Sequence, residues 1–451
     1  MPILAPRRAF SFPGKPPWWA GFGLSLVLPV TLLGFLLTGP HAPAAVPAWT
    51  LPLWLLVAAD RYGPPERRSV PRPAPRWFFD GLLYLLALLQ LLNLAALGGL
   101  VSRLKFGSGP EALASLVDLL AIRLMVGATF VCGAICPAHE LIHRRHPCQR
   151  GLGRILLMTV GYDHFALAHK GVHHARLGSA EDVSTARRGE SFEAFYRRAL
   201  GGHWKNAWRA DPGAVVVGLV AEAGLLAAYL SAFGVLATAV WLHQCRAAVR
   251  TLEAVNYFQH YGLTEGAGGT PAMAWRNDSA VSLFLFLGLT RHAEHHRRPG
   301  VPYPALRATD EGPVMPWGYL GMAVWVQRRN ESYRAWVERT GILSVQSAPR
   351  ADAQESRPAP LAAGVGVAPR RRPEGDLAPA AGPCRAHGAP ESEAQAARRF
   401  PYDQHRVVGE ADYVAFGQGE YQPGRFPYQP FRRQPGFHEH PGTAQVARDT
   451  A

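Results

Sequence analysis

Apolar residues crowd the first 300 positions in long runs, and the rest of the chain is polar. A helix that crosses a bilayer needs about 20 largely apolar residues. The runs at Trp18–Thr38, 43–59, 81–101, 112–136 and 213–257 approach this length. The last would overshoot a bilayer as one helix, and it is interrupted near Ser231-Ala232-Phe233-Gly234, so it reads as two. The pattern predicts an all-α integral membrane protein with six transmembrane helices. Trp18 and Trp19 stand where interfacial anchors stand. The first run lacks a small-residue cleavage site and is followed at once by another, so it reads as a retained anchor.

Charge sets the expected orientation. Arg7, Arg8 and Lys15 precede the first run, and the loop after it has no Lys or Arg. Arg61, Arg67, Arg68, Arg72 and Arg76 follow the second run, and Arg144, Arg145, Arg150 and Arg154 follow the fourth. Arg103 and Lys105 are the exception. The positive-inside rule then puts both termini and residues 137–212 in the cytoplasm of a bacterial-type inner membrane. Topology thus accounts for most of the +14 net charge, and no nucleic-acid partner is needed. The five cysteines form no spaced framework, which excludes a disulfide-stapled secreted module.

Beyond about residue 344 the apolar periodicity stops, and Ala, Pro, Gly, Glu and Arg dominate. Such a composition buries no core. The expected organisation is a membrane domain over 1–344 and a disordered Pro/Ala/Arg-rich tail over 345–451.

Half of the 18 histidines fall into four tight groups. These are His139 and His143; His169, His173 and His174; His260; and His292, His295 and His296. Residues four apart share a helix face. His139 and His143 can therefore converge on one ion, as can His169 and His173, with His174 turned toward a neighbouring site. Nine clustered imidazoles exceed the demand of one ion, so two metals are expected in a cytoplasmic histidine-rich helical cap. Imidazole suits Zn, Fe, Cu and Ni. His139-Glu140-Leu141-Ile142-His143 also fits the zinc-peptidase pattern, with Glu140 as general base. That reading leaves six clustered histidines unexplained. A histidine-lined metal transporter is a non-enzymatic alternative.

The chain resembles the membrane-bound non-haem diiron alkane monooxygenases, relatives of the integral-membrane fatty-acid desaturases. The resemblance rests on HELIHRR (139–145), YDHFALAHKGVHH (162–174), EDVSTARRGESF (181–192), NYFQHYGL (256–263) and LTRHAEHHRRPGVPYPALR (289–307). It implies two iron ions held by the nine clustered histidines, and insertion of one oxygen atom from O₂ into a terminal C–H bond of an apolar small molecule drawn from membrane lipid. An n-alkane is the first choice, with aromatic methyl hydroxylation or fatty-acid desaturation as alternatives. It also implies an external rubredoxin or ferredoxin with its reductase, since the chain has no Cys-x-x-Cys pair. Glu140, Asp163, Asp182, Glu253 and Glu294 are expected to brace the ligating rings. Two positions depart from the family pattern: Ala168 and Gln259 stand where acidic residues are common. Gln259 resembles relatives that hydroxylate methyl groups on aromatic rings. Trp54, in the short second run, is weighed as a plug for a substrate channel against an ordinary packing or interfacial role.

Overall fold

The computed structural model describes residues 17–71, 74–263 and 274–340. The predicted tail and the basic residues before Trp18 lie outside them. Among the described residues the chain is helical, with no β-strand beyond isolated bridges.

A 3₁₀ helix, Trp18–Leu26, runs straight into α1, Val27–Thr38. Next come α2, Val46–Tyr62, and α3, Arg76–Val101. Helix α4, Gly109–Phe130, starts at a capping box in which the Ser108 hydroxyl accepts from the Glu111 amide. It continues through a π-helical turn, Val131–Ile135, into α5, Cys136–Ile142. Pro137 explains the turn: it has no N–H to donate and its ring crowds the carbonyl four residues back, so the helix widens there. Helices α6, Pro147–Met158, and α7, Phe165–Ala168, lead to a second π turn, His169–His173. Then follow α8, Phe192–Ala210, and α9, Pro212–His260. Last come α10, Ala280–Leu285; α11, His292–Arg297; α12, Tyr319–Arg328; and α13, Asn330–Thr340.

Five helical stretches are long and apolar enough to cross a membrane. The last, α9, is two helices folded back on each other. Gly234 has φ 79°, and the rings of Tyr229 and Trp241 lie 4.7 Å apart. In a straight helix, residues that far apart in sequence would be separated by about 18 Å. The interruption expected at 231–234 is therefore a hairpin turn, and 212–233 and 235–260 run antiparallel. Val30, Leu88, Leu120 and Val220 stand exposed on the outer faces, as lipid-facing residues do. Trp54 is half exposed on α2, the ordinary place for a lipid-facing or interfacial ring. This is an integral membrane protein.

Polar contacts lock both ends of the bundle. At one end, the His41 ring lies 2.9 Å from Asp118, whose carboxylate also accepts from the His41 amide at 3.0 Å. At the other, the buried Asp60 accepts from the hydroxyls of Ser279 and Ser282, each at 2.6 Å, and from the Leu320 amide at 2.8 Å. Asp60 thereby ties the end of α2 to α10 and α12, which flank the segment carrying α11.

Candidate metal centre

All nine clustered histidines meet at the end of the bundle that carries Asp60. They form two sets, each with its ligand atoms within 4.8 Å of one another. The first set is His139, His143, His169, His174 and His295. The second is His173, His260, His292 and His296. The sets adjoin, with the rings of His174 and His296 4.7 Å apart.

The partition differs from the one that helical spacing predicts. His174, not His173, joins His169. The reason is the π turn, in which the His174 amide donates to the His169 carbonyl at 3.1 Å. One extra residue per turn carries His174 round to the face of His169 and sends His173 to the other set. The α11 histidines also divide, with His295 in the first set and His292 and His296 in the second.

The donor set fits metal ions. Nitrogens approach to 2.9 Å for His169 and His174, 3.1 Å for His174 and His295, 3.1 Å for His260 and His292, and 3.0 Å for His292 and His296. Two nitrogens bound at right angles to one ion, about 2.1 Å from it, would lie about 3.0 Å apart. The Nε2 atoms of His139, His143 and His173 are buried with no hydrogen-bond partner. Buried polar atoms are rarely left so, and a metal explains these. Burial pushes His143, His169, His174, His292, His295 and His296 well below the ordinary imidazole value, and charge on neighbouring rings adds to the shift. The rings are neutral at pH 7, which is the form that binds a metal.

Asp182 braces the second set. Its oxygens lie 3.0 and 3.1 Å from His173 Nδ1, leaving Nε2 to face inward. The Ser184 amide (2.9 Å), the Thr185 hydroxyl (2.6 Å) and the Gly178 amide (3.2 Å) hold the carboxylate still. Burial acts to raise Asp182, but the His173 ring, the Thr185 hydroxyl and the nearby His260 ring outweigh it and hold it well below the usual carboxylate range.

The other four expected braces are engaged elsewhere. Glu140 accepts from Arg144 at 2.9 Å, and Asp163 from Arg154 at 2.8 Å. Glu253 accepts from the Tyr162 hydroxyl at 2.9 Å and from Asn256 at 3.2 Å, while Glu294 pairs with Arg298. For Glu140, Asp163 and Glu294 the competitor is an arginine close in sequence, whose charge makes it a stronger partner than an imidazole N–H. Glu253 lies among Tyr162, Asn256 and His203, away from the clustered rings.

Sequence reasoning passed over a layer behind the first set. Phe165 stacks on His169 at 4.9 Å and meets His203 at 5.5 Å, and His203 lies 3.4 Å from Glu253. His164 stacks on Trp204 at 4.1 Å, and burial with a neighbouring His203 lowers it to about 4. These histidines fall at no repeating spacing, so no pattern marked them.

Two cavities of about 10 Å³, each the size of a single water, touch the rings. One reaches His139 and His295 and is walled by Cys136, Leu287, Tyr303 and Leu306. The other reaches His292 and is walled by Glu66, Asn277, Asp278 and Arg291. Leu287 has φ 49°, the left-handed region, which costs a leucine about 1–2 kcal/mol relative to right-handed backbone.

A helical membrane bundle capped by two adjoining histidine sets defines a metal-binding membrane protein. Comparison with known proteins gives the class of chemistry. The fatty acid desaturase family model matches residues 114–325, the span from α4 into α12. Alkane 1-monooxygenase 1 of Pseudomonas aeruginosa is 30% identical over 298 residues, covering 60% of this chain and 74% of that protein. Alkane 1-monooxygenase of Acinetobacter baylyi is 30% identical over 231 residues, 46% of this chain and 56% of that protein. The xylene/toluene monooxygenase hydroxylase component of Pseudomonas putida is 29% identical over 200 residues, 40% of this chain and 53% of that protein. The chain belongs to the alkane 1-monooxygenase family of membrane oxidoreductases.

Proposed function

We propose that this protein hydroxylates the terminal methyl group of an n-alkane: RCH₃ + O₂ + 2H⁺ + 2e⁻ gives RCH₂OH + H₂O. What carries the reading is the pair of adjoining all-histidine sets in a chain whose relatives are named alkane 1-monooxygenases. His139, His143, His169, His174 and His295 would hold one non-haem iron, and His173, His260, His292 and His296 the other. When bound, the two irons would supply O₂ activation, a step outside the reach of side chains. The chain itself orients the rings, through Asp182 on His173, and buries six of the nine, His169, His173, His260, His292, His295 and His296, away from bulk water. Leu287, Leu289 and Leu306 line the cavity beside His139 and His295, where an alkyl terminus would approach.

The electrons would come from a rubredoxin or ferredoxin with its reductase. Exposed Arg145 and Arg187, on segments next to the histidines, suit an acidic carrier. The positive-inside pattern supports a cytoplasmic site in a bacterial inner membrane. The peptidase reading needs Glu140 free as a base, whereas its carboxylate is paired with Arg144.

A second reading, hydroxylation of an aromatic methyl group, is favoured by the xylene/toluene relative and by Gln259. Turnover under ¹⁸O₂ with n-alkanes, alkyl aromatics and acyl lipids, with reduced rubredoxin or ferredoxin supplied, tests the assignment. The expected product is a labelled primary alcohol. An unlabelled alkene would make the enzyme a desaturase.

A further inference from the structure

Helix α10 ends in a Schellman motif. The Gly288 amide donates to the Leu283 carbonyl at 2.8 Å, and Phe286 is the C-cap. Leu287 therefore occupies the left-handed position after the cap, with φ 49°. Helices normally put glycine there, because a Cβ is penalised. Glycine follows one residue later, at Gly288, which is also left-handed with φ 76°. The chain thus keeps a branched side chain where glycine would be free of strain. Strain of this kind collects at sites where a side chain is needed.

The place where that side chain lies supplies the reason. Leu287 is 4% exposed and lines the cavity beside His139 and His295, together with Cys136, Glu140, Tyr303 and Leu306. No other non-glycine residue among the described ones has positive φ.

We propose that Leu287 is a specificity-determining residue, the wall that sets how wide a substrate terminus can come up to His139 and His295. This rests on the hydroxylase reading. The cavity as it stands has room for one water, so a substrate end enters by displacing a wall: a slim, unbranched alkyl end needs the smaller shift of Leu287, and a methyl group carried on a ring the larger. Packing one or two methylenes differently in an apolar pocket changes selectivity by about 10- to 200-fold.

The test uses the full chain in lipid nanodiscs with Leu287→Ala and Leu287→Gly, competing n-octane against para-xylene. The expected result is a shift of about tenfold or more in relative kcat/KM toward para-xylene in both variants, with iron content unchanged. Leu287→Gly removes the side chain and the backbone strain together, so it is the variant least able to fail by misfolding. A purely structural Leu287 would instead lower the melting temperature and leave the ratio within twofold, which overturns the proposal. Loss of iron from both variants overturns it as well. A second readout needs no turnover: saturation-transfer NMR of para-xylene on the metal-free protein, with binding about tenfold tighter expected in Leu287→Gly. If the wild-type protein oxidises neither hydrocarbon, the reaction assignment fails. The binding comparison then still decides the role of Leu287, and equal binding by the two proteins refutes it.

Discussion

The two histidine sets share α11 and the second π turn, yet their surroundings differ. The first set, of five rings, adjoins a cavity lined by Cys136, Leu287, Leu289 and Leu306 together with Glu140 and Tyr303. The second, of four, adjoins one lined by more charged side chains: Glu66, Arg276, Asp278 and Arg291. Asp182 bonds a ring of the second set, whereas among the described residues no carboxylate is hydrogen-bonded to a ring of the first. Leucine side chains line the first cavity and none lines the second. Glu140 is the one carboxylate lining the first cavity, whereas two carboxylates and two arginines line the second. A reaction that joins an apolar substrate to protons and leaves water needs both kinds of surface close together.

The sharpest way to break this division is to remove one ring from each side of α11. His295→Ala and His292→Ala change neighbouring residues in different sets. Each is expected to abolish turnover and to lower iron from about two to about one per chain. The iron that remains should have a different spectrum in the two variants. Identical spectra would mean that the sets are not separate sites.

A smaller effect is expected from Asp182→Asn, which keeps the shape and removes the charge that orients His173. Iron affinity should fall about 10- to 100-fold at one of two sites, leaving the other unchanged. The sign of the pH dependence follows from the lowered Asp182 value. A carboxylate depressed on folding contributes above its unfolded value, near pH 3.9, and the contribution is lost as pH falls toward the folded value. The difference in folding stability between wild type and Asp182→Asn should therefore be flat from about pH 5 to 9, as read by chemical unfolding.

The sequence showed the bundle more plainly than the site. Apolar runs are long-range signals, and the break at Ser231–Gly234 was visible because small residues interrupt one of them. The histidines were legible as a set because their spacing repeats. Their division was not, because a 3.6-residue period carries no sign of a π turn. Pro137, two residues past the first π segment, was a local hint of it; no proline marks the second. The braces were the least legible. Asp182 bonds His173 through a loop held by Ser184 and Thr185, while Glu140 and Asp163, equally near in sequence, are taken by Arg144 and Arg154. Competition between partners is a property of the packed structure. The strain at Leu287 was invisible for the same reason, since nothing in a leucine-rich run marks one residue as left-handed.

Tyr162→Phe tests the layer behind the first set. It takes one donor from the buried Glu253, which keeps Asn256. The expected cost is about 1–3 kcal/mol of stability, read by thermal unfolding, with iron content retained. The smallest effect should come from removing residues 345–451. That segment has no burial pattern, so metal content and turnover should stay within about twofold of the full chain. Loss of iron on truncation would make the tail part of the site.

The most direct test of the central claim is metal analysis of the purified full-length protein together with Mössbauer spectroscopy. The account predicts about two irons per chain in two nitrogen-rich environments, one for each histidine set. One tightly held zinc per chain, in a preparation that is active without iron, would contradict it.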